Sequence, residues 1–349
     1  MSIDEQLISN LLSDNRIKTL LTVQDKAYWE SLMTATVPNR TSEVRSLPKL
    51  AFLLFMYTFS KPTSQETDDI VYKLLKTLSI KDDNVRREWN DLINIPMNDE
   101  YLSYYFFLSS IALRANKTIS ARLSLAEYKE QDNTSDWGQR VLMAILRATM
   151  YLIRKNNGYE DIRRVIEIVE NLQKDQTLFE TKYLSGFTAS QQTTEALWLV
   201  ALYHTSKAVV ETAQYTLQGY SYPNRRIETI VRSHLDIAKQ LSKNDRLRGV
   251  LSIIENDLNI LVKNSIWNGT AFNDKLRKLC EAKGQMGLLE LLPSQRDAIN
   301  KNLFNVAANA IVLQMPTSAG KTLLAEFNIA ITKALLKESK IVYVVPSRA

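Results

Sequence analysis

Residues 137–172 read WGQRVLMAILRATMYLIRKNNGYEDIRRVIEIVENL. Trp137, Val141, Ala144, Ile145, Ala148 and Leu152 recur at the spacing of one helix face. After Asn156-Asn157-Gly158 the stripe resumes with Ile162, Val165, Ile166, Val169 and Leu172. Asn and Gly tolerate the left-handed backbone that ends helices, so the stretch predicts a helical hairpin over 137–174. Downstream, Thr188 and Gln191 form a capping-box pattern opening a helix over 189–217. Its apolar residues, Leu197 to Leu202, surround the axis and predict a central helix. Further helices are expected over 48–59, 100–115, 226–241 and 245–265. No fixed repeat period is visible.

The rest of the chain agrees. Its 349 residues contain only nine Gly and eight Pro, with no Gly before Gly138 and no Pro between Pro96 and Pro223. Strand-rich folds use these residues in turns, so their scarcity argues for helix. Hydrophobic residues at 45% and charged residues at 23% mark a folded chain of two to three domains. Cys280 is the single cysteine, and His204 and His234 the only histidines, which excludes an internal disulfide and leaves little for a zinc site. The N-terminal MSIDEQLISN lacks a signal-peptide core. The most apolar run, Leu50 to Phe59, has ten residues, too few to cross about 30 Å of hydrocarbon. A soluble, cytoplasmic protein with no membrane association is expected.

Two features could indicate nucleic acid. Tyr101, Tyr104, Tyr105, Phe106 and Phe107 could stack on bases, although aromatics at helical spacing more often fill a core. Between Ser221 and Lys283 there are twelve Lys/Arg against seven Asp/Glu, a net +5 of the chain's +6. Arg225, Arg226, Arg246, Arg248, Lys275, Arg277 and Lys278 could neutralise phosphates there, and a solvated helix face would read the same.

The pattern changes after Gly284 and Gly287. Residues 310–315 are AIVLQM, followed by PTSAGKT, a helical stripe (Leu323, Leu324, Phe327, Ile331, Leu335) and a second apolar run, Ile341 to Val345. Strand, loop, helix and strand in this order predict a βαβ unit with a phosphate-binding loop. Backbone N–H groups of Ser318 to Thr322 would wrap phosphates at a helix N-terminus. Lys321 would reach the β/γ-phosphates of ATP, and the Thr322 hydroxyl would ligate Mg²⁺. Met315 stands where the generic loop has Gly.

LLPSQRDAI (291–299), MPTSAGKT (315–322) and YVVPSRA (343–349) follow in order with short spacers. Together they resemble the Q-motif, motif I and motif Ia of superfamily 2 helicases of the DExD/H-box class, closest to the superkiller-like branch. A non-Gly residue at the Met315 position is usual in that family, and Ser347 stands where Thr is commoner. The resemblance covers about 60 residues, 290–349. It implies that Gln295 contacts adenine, and that Thr317, Ser318, Ala319, Gly320, Lys321 and Thr322 hold ATP-Mg²⁺. Lys321 and Thr322 would serve the reaction, and Pro346, Ser347 and Arg348 would touch the backbone of DNA or RNA.

The expected architecture is mainly α: an all-helical accessory domain over 1–285, then the start of a RecA-like ATPase domain over 286–349. No acidic Walker B motif follows the loop. The nearest match, Asp99-Glu100, lies upstream and reads as a helix start. The chain is therefore expected to be the N-terminal part of a longer helicase or translocase, inactive in hydrolysis by itself. Large helical extensions of this kind also resemble antiphage-defence helicases of the Hachiman type, which implies a protein partner such as a nuclease effector. The competing reading is a helical interaction scaffold that binds nucleotide without catalysis. A signalling ATPase with a helical sensor fits the helices but accounts for neither Gln295 nor VVPSRA.

Overall fold

The computed structural model describes residues 64–78, 80–95, 97–131, 136–155, 159–219, 226–270, 273–305, 310–316, 319–338 and 340–344. Among them run α1 (Gln65–Thr77), α2 (Asp83–Ile93), α3 (Leu102–Arg114), α4 (Thr118–Leu125), α5 (Trp137–Arg154) and α6 (Tyr159–Leu184). These are followed by α7 (Ala189–Gln218), α8 (Ile227–Gln240), α9 (Asp245–Asn264), α10 (Asp274–Gln285), α11 (Pro293–Asn300) and α12 (Lys321–Leu335). The chain is mainly helical, and no helix among the described residues is long and apolar enough to cross a membrane. The helix expected over 48–59 lies outside the described residues.

Local chemistry fixes the helix starts. Asp136 accepts the Gln139 N–H at 3.0 Å, and Asn244 and Asn273 accept those of Leu247 and Leu276 at 2.9 Å. Each satisfies one of the donors that a helix start leaves open. Gln191 accepts the Thr188 N–H at 3.2 Å, as its spacing predicts. The hairpin forms as α5 against α6, and its left-handed residue is Lys155, with φ 42°. Asn156 to Gly158 lie outside the described residues.

The most enclosed helix is α3, in which every residue from Leu102 to Leu113 is buried. Its aromatic run is core: Trp89 of α2 meets Tyr104 and Phe107 edge-on, with ring centroids 5.9 and 6.0 Å apart. The Tyr104 hydroxyl donates to the Leu75 carbonyl of α1 at 2.8 Å. Asp99 starts this helix, accepting the N–H groups of Tyr101 and Leu102 at 3.1 and 3.0 Å. Its second oxygen takes the Tyr128 hydroxyl at 2.6 Å and Arg147 of α5 at 3.0 Å. Asp99 is thus a structural carboxylate, as the upstream position implies.

Helix α7 departs from expectation. It packs on α5, α6, α8 and α9, yet Leu197 and Val200 are exposed. Its buried face runs from Trp198, Ala201 and Leu202 to Ala208, Val209 and Ala213. Its neighbours cover that face and leave the first turns open on one side.

The segments expected as strands, 310–315 and 341–345, form no ladder among the described residues. The single bridge found there joins Ser265 to Glu290, antiparallel. A parallel strand is stable when both faces are covered, whereas Val312, Val342 and Val344 stand in solvent. The intervening helix behaves differently: α12 packs on α10, and Leu323, Phe327 and Ile331 belong to the same core as α3 and α5. The 286–349 segment is therefore joined to the helical body through α12.

One core group titrates. Asp257 of α9 is fully buried; it accepts the Ser110 hydroxyl of α3, and its Oδ1 has no hydrogen-bond partner. Burial raises its carboxyl to about 7, against the lowering effects of Ser110 and the Arg114 charge. Between the ordinary carboxylate range and pH 7 the folded chain keeps a proton that the unfolded chain releases, so stability falls as pH rises through that window. Asp257→Asn should remove this slope, gaining on the wild type by up to about 3 kcal/mol between pH 4 and 7.5. Urea melts of both proteins at the two pH values measure it, and parallel curves would contradict it.

Candidate functional site

The site begins where α9 ends. Leu291 N–H donates to the Asn264 carbonyl at 2.9 Å, and Ile266 N–H donates to the Leu289 carbonyl at 3.0 Å. This antiparallel pairing holds Leu289–Leu291 against the helical body and aims the chain into α11. Pro293 opens that helix, where its missing N–H costs nothing.

Gln295, three residues into α11, is 3% exposed. Its Oε1 accepts the Leu292 N–H at 2.8 Å, capping α11, and its Nε2 donates to the Gly320 carbonyl at 3.0 Å. One side chain thus ties the start of α11 to the start of α12. A carboxamide offers two donors and two acceptor lone pairs, so one N–H and one lone pair remain for a ligand.

Gly320 is the N-cap of α12 in the left-handed region, φ 71°. A Cβ there would lie 2.3 Å from Gln295 Nε2, so glycine is required by conformation and by contact. Ala319 is buried, and its N–H donates to the Pro316 carbonyl at 3.1 Å, closing the turn into the helix. Lys321 and Thr322 follow on the first turn, both exposed. The first N–H groups of a helix have no intrahelical partner and sit at the positive end of its dipole. The structure thus brings Gln295, Ala319, Gly320, Lys321 and Thr322 to one place. Thr317, Ser318, Pro346, Ser347 and Arg348 lie outside the described residues.

A cavity of about 780 Å³ opens beside this turn. One side is formed by the starts of α11 and α12, with Gly320, Thr322, Gln295 and Arg296; the other is the α3–α4 turn of the helical body. Five cations line it, Lys117, Arg122, Lys155, Lys283 and Arg296, against two carboxylates, Glu290 and Glu326. Glu290 pairs with both Arg122 (3.1 Å) and the buried Lys155, and Glu326 pairs with Lys283 at 2.6 Å. Burial pushes the Lys155 ammonium below its ordinary value, opposed by the Glu290 charge. Arg296 is also lowered by burial; it donates to the Leu291 carbonyl and to Asn116 Oδ1. The cationic excess suits an anion.

Asn116, Arg122, Lys155 and Glu290 were not legible as site residues: they are brought together from distant positions and belong to no local motif. The basic segment 221–283 is mostly engaged in holding helices together. Lys239 pairs with Glu255 (2.7 Å) and Lys243 with Glu195; Lys275 donates to the Lys333 carbonyl, and Arg277 to that of Gln218. Arg226, Arg246 and Lys278 are exposed on separate helices, and Arg225 lies outside the described residues. Among the described residues no three His, Cys, Asp or Glu side chains group to hold a metal.

No protein-family model matches the chain, and neither a curated protein nor a solved structure matches it.

The Gln295–Gly320 contact predicts non-additive energetics. Gly320→Ala should destabilise the wild type by about 2 kcal/mol, through its positive φ and the displaced carboxamide. In a Gln295→Ala background the same change should cost about 1 kcal/mol less, read from a double-mutant cycle of chemical denaturation. Additive values would show that the two residues do not meet.

Proposed function

We propose that the chain is the ATP-binding part of an ATP-dependent nucleic-acid helicase or translocase, carrying a helical body for regulation or for a protein partner. The observation that carries this reading is Gln295, fixed between the Leu292 N–H and the Gly320 carbonyl. A loop-to-helix turn can hold phosphate in many proteins, but a buried carboxamide bound to that turn, with a free donor and acceptor, adds a reader for the adenine edge. In this reading Lys321 reaches the terminal phosphates, Thr322 holds Mg²⁺, and Pro346, Ser347 and Arg348 meet the backbone of DNA or RNA. A role in antiviral defence beside a nuclease is suggested by the resemblance to helicases with large helical extensions.

A second reading is favoured by the packing of α12. Leu323, Phe327 and Ile331 are part of the main helical core, so nucleotide could act as a structural ligand of a scaffold, without turnover. The two readings part at hydrolysis.

Lys321→Ala should weaken MgATP binding about a hundredfold, measured by calorimetry, since it removes the cation nearest the terminal phosphates. Gln295→Ala should erase the preference for ATP over GTP. Wild-type affinity in the first variant, or a wild-type ATP/GTP ratio in the second, would refute the site assignment. In a chain that also carries an acidic motif after the loop, ATP binding without hydrolysis, with or without DNA and RNA, would establish the scaffold; the 349 residues of this chain are expected not to hydrolyse ATP in either reading.

A further inference from the structure

The cavity beside α12 has two chemically different ends. One end holds Gly320 and Thr322 at the helix N-terminus, suited to phosphate. Elsewhere it is lined by two apolar side chains left open to solvent, Ile119 (67% exposed) and Met286 (80%), while Leu292 lies beside Gly320. Ile119 belongs to α4, in the helical body, some 200 residues before the P-loop. Beside it Asn116 lines the same cavity.

This wall is rigidly held. Asn116 takes the left-handed conformation, φ 55°, that closes α3. The Asn116 N–H donates to the Leu113 carbonyl at 3.2 Å, and the Lys117 N–H to that of Ala112 at 2.8 Å. Asn116 Oδ1 accepts from Arg296 at 3.2 Å, one residue after Gln295. That bond orients the carboxamide and leaves its NH₂ group available to an acceptor.

A nucleotide matches both ends at once. Its phosphates need N–H donors and cations; its base needs apolar contact on its faces, with donors and acceptors at its edge. Resting on the ATP reading above, we propose that the helical body forms part of the nucleotide site: the Asn116–Ser120 turn meets the base through Ile119 and Asn116, together with Met286. Gln295 lines the same cavity, bonded to Gly320 and one residue before Arg296, which holds Asn116. Nucleotide would then be held by the P-loop segment and the helical body together.

The test separates base from phosphate with two probes, ATP and inorganic tripolyphosphate, each titrated with Mg²⁺ into the full 349-residue chain. Ile119→Ser changes an exposed side chain, and Asn116→Gly keeps the left-handed backbone; thermal melts check that both variants fold. Each should weaken ATP five- to tenfold and leave tripolyphosphate within twofold of wild type. Lys321→Ala should weaken both probes. Unchanged ATP affinity in both wall variants, with Lys321→Ala still losing both probes, would overturn the inference and leave the P-loop reading standing. Equal loss of both probes in the wall variants would also overturn it, since the base would not be what Ile119 and Asn116 touch. A wild type that binds neither probe would remove the P-loop reading and this inference with it.

Discussion

A helix buried from Leu102 to Leu113 has to be covered on every side, and α1, α2, α4, α5 and α9 pack against α3 to do so. Three of its neighbours reach the candidate site, α4 by its start and α5 and α9 by their ends. The chain leaves α3 through Asn116, whose left-handed turn starts α4 and forms one wall of the cavity. Helix α5 ends at Lys155, which reaches Glu290. Helix α9, fixed to α3 by the Asp257–Ser110 hydrogen bond, ends at Asn264, whose carbonyl receives Leu291 and so orients α11. The positions of both walls therefore follow from how α3 is covered.

Glu290 holds these walls together electrostatically. It lies on the pairing segment and takes Arg122 from α4 and Lys155 from the end of α5. A lysine with only 3% of its side chain exposed is costly to keep charged, and its opposite charge offsets part of that cost. The arrangement gives more specificity than stability. Apolar residues of similar volume would serve the fold as well. A carboxylate shared by two cations, however, fixes where α4 and α5 stand relative to the segment that carries Gln295. Lys283 is taken by Glu326 and Lys117 by Asp69 at 3.4 Å, so the cation of the cavity held by neutral acceptors alone is Arg296, bonded to the Leu291 carbonyl and Asn116 Oδ1.

The sequence was legible where a signal is local and repeated. The α5–α6 hairpin and α7 follow from apolar spacing and a capping box, and the Tyr101–Phe107 run reads as core because its spacing is helical. Gln295, Gly320, Lys321 and Thr322 converge as their linear motifs imply. Short elements were less visible: α4 has eight residues and one buried face, too little for a period to register. For the expected strands the described residues show no ladder. A run such as Ala310 to Met315 is apolar enough for a buried strand, but pairing depends on partners that periodicity does not describe. The Glu290 pairs are illegible in principle, since charge complementarity at such separations leaves no local pattern.

The packing of α12 bears on how a ligand would act. Had α12 stood apart from the helical body, occupancy of its N-terminus would stabilise that helix alone. Instead Phe327 and Ile331 lie in the shared core, and Gly320 is bonded to Gln295, whose helix is anchored through Leu291 to α9. A ligand that binds only the folded site stabilises everything whose unfolding destroys that site, by RT ln(1 + [L]/Kd), or about 2.7 kcal/mol at a hundred times Kd. Here that includes α3, α4, α5 and α9, because the cavity loses a wall when any of them moves. A ligand of this cavity would thus be coupled to the helical body through shared packing, and no hinge or separate relay is needed for one to sense the other.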